Sequence, residues 1–383
     1  MRAPESGASV STIWLSLSMV CFTLVTFSYR AAVLSALFFF IYVITARPRP
    51  KPRITPTLAI SYLLSSSFLT AFAVRGDIHP PYLLKYLGIS NMFWVLLVYA
   101  RSIGIPQIAR AAHQFVLIHS AFFVAQLGYH IATGELLDFN NLVREDYALT
   151  ISTSRSLEGL GIGIRASGLF SEPSFYSMSV FPIALMLGLH ERRISTAVAV
   201  GTMTSFLSLS VAGMVITAAG ALLLLISCKG QRFIKLALLS IIVALLPISM
   251  TIYERRVVDS VDYDAIASRL LVVDHIKSQA LADSLFGNGM FWNENAPIGH
   301  TGLSGYHVRD SSFYIYLLFT TGVAGLGVFA ATLVAALRRK PRLLIATLVA
   351  LLFKYGVLVS SLWMLLALAV IFSSERSDTT GPS

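Results

Sequence analysis

Apolar runs recur along the chain at 10–28, 31–46, 54–74, 82–100, 111–132, 172–190, 236–252 and 311–336. Each approaches or exceeds the ~20 residues a helix needs to cross the hydrocarbon core of a bilayer. Two longer apolar blocks, 194–227 and 343–372, each fit a pair of short helices, with breaks near Ser210-Val211-Ala212-Gly213 and Lys354-Tyr355-Gly356. The pattern predicts an all-α polytopic membrane protein, a single integral membrane domain over residues 1–383 with about 12 transmembrane helices. Two long loops interrupt it, 133–171 and 253–310. Within the second, Leu270, Val273, Ile276, Ala280 and Leu281 fall at helical spacing along 268–282, which predicts a short amphipathic helix lying on the membrane surface. The first nine residues carry one arginine and no cleavage-site pattern, so the first run reads as a retained span. The polar tail 373–383 has no periodic apolar face and is expected to be disordered.

Composition agrees with this reading and removes several others. Of 383 residues, 56% are hydrophobic and 13% charged, with mean hydropathy +0.73, whereas about a quarter of an ordinary soluble domain is charged. The net charge of +10 invites a nucleic-acid partner, but its location argues otherwise. Arg47, Arg49, Lys51, Arg53, Arg101, Arg110, Arg192, Arg193, Lys229, Arg232, Lys235, Arg338, Arg339, Lys340 and Arg342 all fall on one set of loops, which the positive-inside rule makes cytoplasmic. The excess base is a topology signal, and no nucleic acid is expected. Both termini are then cytoplasmic and both long loops, where most carboxylates lie, extracytoplasmic. The proline-punctuated run 47–53 reads as a stiff turn at the headgroups. Two cysteines, Cys21 and Cys228, cannot build a disulfide framework.

Candidate chemistry concentrates in the two outer loops. Ionisable groups are costly within a membrane and mark functional sites when they occur at span mouths. Arg165 and Glu172 flank the start of the sixth span in Arg165-Ala-Ser-Gly-Leu-Phe-Ser-Glu172-Pro173-Ser174, with Pro173 suited to a first helical turn and Glu172 at the positive end of the helix dipole. Arg269 heads the amphipathic stretch. Leu285-Phe-Gly-Asn-Gly289 reads as a turn, and Gly305-Tyr-His307-Val-Arg309-Asp310-Ser311-Ser-Phe313 closes the loop with an acid–base and anion-binding set. Three glycines at 159, 161 and 163 resemble a phosphate loop but lack the Lys-Ser/Thr that should follow, so nucleotide binding is not expected. His113, His119 and His130 share the fifth span, where interhelical hydrogen bonding is the expected role. No Asp-x-Asp or His-Glu-x-x-His pattern calls for a metal.

These residues resemble the bacterial polysaccharide polymerase and O-antigen ligase superfamily. The likeness rests on the Arg165–Ser174 segment, on Leu285–Gly289, and on Asp310-Ser-Ser-Phe-Tyr followed by Thr321-Gly322-Val-Ala-Gly325-Leu, and it covers about 145–336. The resemblance implies a GT-C-like integral membrane glycosyltransferase of the bacterial inner membrane, acting on undecaprenyl-diphosphate-linked glycans at the periplasmic face. It implies diphosphate binding by Arg165, Arg269 and Arg309, a base among Asp310, His307 and Glu172, and no cofactor. Membrane lipids, a chain-length regulator and a flippase are the partners it brings with it. Two departures matter. Relatives often have Ser-Arg between the seventh and eighth spans where this chain has Ser210-Val211, and ligases commonly place His-Asn where this chain has Asp310-Ser311. The second favours a polymerase of O-antigen, capsule or exopolysaccharide repeats over a ligase. A secondary transporter is the alternative from another class; the absence of Asp or Glu in mid-span speaks against it.

Overall fold

The computed structural model describes residues 7–48, 79–143, 165–230, 232–254, 265–293, 297–298 and 301–374. Among these the protein is all-helical; the sole strand-like pairing is an isolated bridge between Pro297 and Ser304. The helices are α1 (Gly7–Leu24), α2 (Tyr29–Ala46), α3 (Pro80–Ile103), α4 (Ile105–Thr133), α5 (Pro173–Glu191), α6 (Thr196–Leu207), α7 (Val211–Ser227) and α8 (Arg232–Tyr253). They continue with α9 (Ala265–Ser278), α10 (Leu281–Phe286), α11 (Gly305–Arg309), α12 (Phe313–Leu337), α13 (Pro341–Ala350) and α14 (Ser360–Ser373). Tyr29–Ala46, Pro80–Ala100, Ile105–Thr133 and Phe313–Leu337 are long and apolar enough to cross a membrane. Several shorter apolar helices accompany them, α6, α7, α13 and α14 included. The expected span at 54–74, the glycines at 159–163, most of the first long loop and the tail from 375 lie outside the described residues.

At the centre stands α5. From Tyr176 to Leu189 every side chain is buried, and α4, α6, α7, α13 and α14 pack around it. With apolar surface outside as well as inside, helices of this kind hold together by close packing and hydrogen bonds between small polar side chains. Ser18 and Ser35 donate to each other's backbone carbonyls across α1 and α2, each at 2.9 Å. Tyr176 on α5 donates to Thr204 Oγ1 on α6 at 2.7 Å. The expected role of the fifth-span histidines fits two of the three contacts. His119 Nε2 lies 3.3 Å from Thr23 Oγ1 and His113 Nε2 lies 2.6 Å from Glu191 Oε1, whereas His130 bonds locally to the Glu135 carbonyl at 3.2 Å.

Both long apolar blocks break where capping chemistry interrupts them. Ser210 accepts from the Gly213 N–H and restarts the chain as α7, after Leu209 adopts a left-handed φ of 53°. Residues 351–359 separate α13 from α14. The amphipathic stretch is two helices rather than one, because the chain turns at Gln279-Ala280 before α10 starts. That turn serves a docking event. α12 kinks at Gly322 (φ 65°, ψ −171°), which leaves carbonyls of the preceding turn without their usual helical donors. The loop after α10 supplies replacements: Asn288 N–H donates to Phe319 O at 2.9 Å and Gly289 N–H to Thr320 O at 3.2 Å. Asn288 Nδ2 adds a second bond to Phe319 O at 3.1 Å.

The approach is close enough to require glycine on both sides. A Cβ at Gly287 would run into the Thr320 backbone, one at Gly322 into the Leu285 backbone, and both residues have positive φ. Alanine at either position combines overpacking with left-handed strain, each costing about 1–3 kcal/mol. Thermal unfolding in detergent should therefore show a large drop for Gly287→Ala and Gly322→Ala. Gly327→Ala, on the same helix with open space around it, should stay near wild type. Equal midpoints for all three would refute the docking geometry.

Candidate functional site

One buried glutamine shapes the segment that leads into α5. Gln126 on α4 accepts from the Ser167 and Gly168 N–H groups at 2.7 and 2.9 Å, while its Nε2 donates to Leu137 O at 2.8 Å. Both ends of the α4–α5 connection are thus fixed to one side chain. Phe170, fully buried, packs its ring 5.0 Å from His119. Arg165 is held in the interior, 5% exposed, and its guanidinium donates to Leu209 O at 3.5 Å. Beside that carbonyl, Ser208 Oγ lies 2.6 Å from Ser177 Oγ, one turn into α5. Arg165 and Glu172 therefore belong to the same mouth.

Opposite Glu172 stands the 351–359 break. Phe353 O accepts from the Phe313 N–H at 3.0 Å, joining the break to the start of α12. Tyr355, fully buried, donates its hydroxyl to Met178 O on α5. Trp363 Nε1 donates to Val357 O at 2.8 Å. So anchored, the break aims Lys354 between two carboxylates: Nζ is 2.8 Å from Asp310 Oδ1 and 3.1 Å from Glu172 Oε2. The ammonium also sits 5.1 Å from the centre of the Phe175 ring, within range for a cation–π contact. Arg269 approaches Asp310 from α9, with Nε donating to its backbone carbonyl at 3.1 Å and a guanidinium nitrogen 3.6 Å from Oδ2. Ser174 donates to Glu172 Oε2 at 2.9 Å. Two carboxylates and two cations, drawn from four separate parts of the chain, balance each other in charge.

Of the six residues expected at the site, the cluster brings together Glu172, Arg269 and Asp310. Arg165 lies at the same mouth, bound to the α6–α7 break. His307 and Arg309 sit on the short α11 immediately before Asp310, and His307 Nδ1 lies 3.0 Å from Ser304 Oγ within its own turn. The residue that sequence reasoning used only to mark a break is Lys354. It is the one charged side chain in 343–372, and the cost of an ionisable group in an apolar block was the available signal. Among the described residues no group of three or more His, Cys, Asp and Glu could hold a metal ion.

Burial pushes the Glu172 carboxyl up, but the Lys354 charge and the hydrogen bonds from Lys354 and Ser174 outweigh it and hold the group below the ordinary carboxylate range; the Asp310 charge opposes them. Burial pushes Lys354 down in turn, and the two carboxylates outweigh it and hold the ammonium above the ordinary lysine range. A depressed carboxylate contributes stability above its unfolded value of about 4.3, lost as pH falls through its folded value. A raised lysine contributes below about 10.4, lost as pH rises through its folded value. Glu172 and Lys354 are therefore both charged across the intervening window.

The arrangement defines an all-helical protein whose apolar helices fit a membrane-embedded chain, with a charge-balanced cluster at its helix mouths. No protein-family model, curated protein or solved structure matches the chain.

Removing Lys354 leaves Asp310, 8% exposed at its side chain, without the cation that lies nearest to it among the described residues. Breaking a buried pair costs ~3–5 kcal/mol; Glu172 is 43% exposed, which lowers the expected loss for Lys354→Met to about 2–3 kcal/mol. Thermal midpoints should differ between the two proteins by a constant amount from about pH 5 to pH 10 and converge outside that window. Identical midpoints at neutral pH would show that the cluster is not formed.

Proposed function

We propose that the protein is an integral membrane glycosyltransferase that polymerises undecaprenyl-diphosphate-linked oligosaccharide repeats. On this reading the helices make twelve crossings, both termini are cytoplasmic, and the cluster faces the periplasm. The observation that carries it is the meeting of Glu172, Asp310 and Arg269 around Lys354. Glu172 and Asp310 belong to two of the segments that resemble the polymerase and ligase superfamily, Arg269 is the long-loop arginine to which the resemblance assigns diphosphate binding, and the three lie far apart in sequence.

The chemistry asks for such a set. A hydroxyl of one lipid-linked repeat attacks the anomeric carbon of another glycan, the new C–O bond forms as the bond to the diphosphate breaks, and the leaving group departs with the electron pair. Arginines suit the diphosphate, because the guanidinium is permanently charged and presents paired donors to phosphate oxygens. Arg165 and Arg269 take that role first, with Arg309 behind them. The acceptor proton goes to a carboxylate or imidazole, a contribution worth typically 10²–10⁴-fold. Asp310 and His307, close together at the end of the second long loop, rank ahead of Glu172, the N-cap residue of α5.

Deletion followed by gel analysis of the surface glycan tests the assignment. Single lipid-linked repeats would support a polymerase, polymer stranded on undecaprenyl diphosphate would identify a ligase instead, and an unchanged glycan would favour transport. In a complemented strain, Arg165→Ala and Asp310→Ala should each abolish long polymer while the protein remains in the membrane. Normal chain lengths in both would remove these residues from the site. Activity should persist in EDTA; strict dependence on magnesium would contradict the cation-only account.

A further inference from the structure

We propose that Lys354 changes partners during transfer, leaving Asp310 for the diphosphate as the acceptor's proton passes to Asp310. The inference rests on the glycosyltransferase reading and deepens it. Its starting point is the pairing within the cluster: Lys354 is shared by Glu172 and Asp310, and Arg269 reaches Asp310 from the other side. Lys354, held by both carboxylates, can turn toward a polyanionic ligand only if one of its two ion pairs loosens.

Charge conservation says which pair. In the transfer step the acceptor O–H proton moves to a carboxylate, which goes from one negative charge to none. The bond between the anomeric carbon and the diphosphate oxygen breaks, and the diphosphate gains one negative charge. One unit of negative charge therefore passes from the carboxylate side to the phosphate side. A cation placed between the two is drawn along with it. Lys354 suits the task, since its ammonium is a point charge with three donors on a flexible four-carbon stem. The Phe175 ring beside it offers a favourable surface without fixing a direction.

Asp310, not Glu172, is the carboxylate whose proton affinity changes most. Among the described residues, the cations paired with it, Lys354 at 2.8 Å and Arg269 at 3.6 Å, are groups the diphosphate attracts. Glu172 keeps the Ser174 hydroxyl and the N-terminus of α5, where it is the N-cap residue. Among the described residues the other ionisable groups at this mouth are Arg165 and, preceding Asp310 on α11, His307 and Arg309.

Ligand binding should therefore draw a proton onto the protein. Farnesyl diphosphate added to the purified full-length protein, by calorimetry in two buffers of different ionisation enthalpy at neutral pH, measures that uptake directly. Wild type should bind and take up more protons than Asp310→Asn, which should bind at least as tightly with the extra uptake lost; Glu172→Gln should retain it. An infrared difference spectrum should show a protonated carboxyl band on ligand addition in wild type, independently of any variant. No binding at all would overturn both the glycosyltransferase reading and the exchange. Binding without proton uptake or a carboxyl band would overturn the exchange alone. Lys354→Arg should preserve the uptake and Lys354→Met should shift it, because a carboxylate already stripped of its ammonium gains less on binding.

Discussion

An ammonium group brought between a buried carboxylate and a half-exposed one ties together the parts of this protein that matter most. Lys354 is costly in an apolar block unless its charge is compensated, and compensation comes from the N-cap of α5 and from the residue that closes the second long loop. Each of these partners is itself supported. Glu172 is placed by a connection clamped on Gln126, and Asp310 is braced from the other side by Arg269 on α9. Loss of any one member leaves another with an unbalanced charge, so the mouth of α5, the 351–359 break and α9 are energetically coupled although no long element runs through all three.

A second constraint, in backbone rather than in charge, holds the same region in register. The kink at Gly322 frees carbonyls in α12, and the Gly287-Asn288-Gly289 turn accepts the task of satisfying them. α12 begins at Phe313, three residues after Asp310, and its first N–H is bound to Phe353 O, one residue before Lys354. The docking of α10 on α12 thus fixes the helix whose start carries the charged cluster. Backbone satisfaction and charge neutralisation reinforce one another at the same end of the bundle.

Much of the helical layout was legible in the sequence because apolar run length and capping chemistry are local. The breaks at Ser210 and near Lys354 sit where the sequence interrupts its apolar blocks, and Pro173 starts α5 as its position suggested. The amphipathic stretch divided at Gln279-Ala280 because the following turn has to reach the α12 kink, a demand imposed by a partner some thirty residues away and invisible in periodicity. The site was legible as a list of residue types at loop ends and not as a pairing. Glu172, Arg269 and Asp310 were each marked by local context. What joins them is a lysine whose significance lies in its isolation within an apolar block, and which reads as a break when only helix length is weighed. Arg165 likewise points to a carbonyl of the α6–α7 break, one residue before Ser210-Val211.

The central claim is that the Lys354 break and the Asp310 loop end meet. Cross-linking in native membranes tests it most directly: Cys21 and Cys228, the two native cysteines, are replaced by alanine, Asp310 and Lys354 by cysteine, and a short bifunctional thiosulfonate is added. The account predicts an intramolecular cross-link, seen by mass after proteolysis as one joined peptide carrying both positions. Efficient labelling of both cysteines with no joined peptide would contradict it.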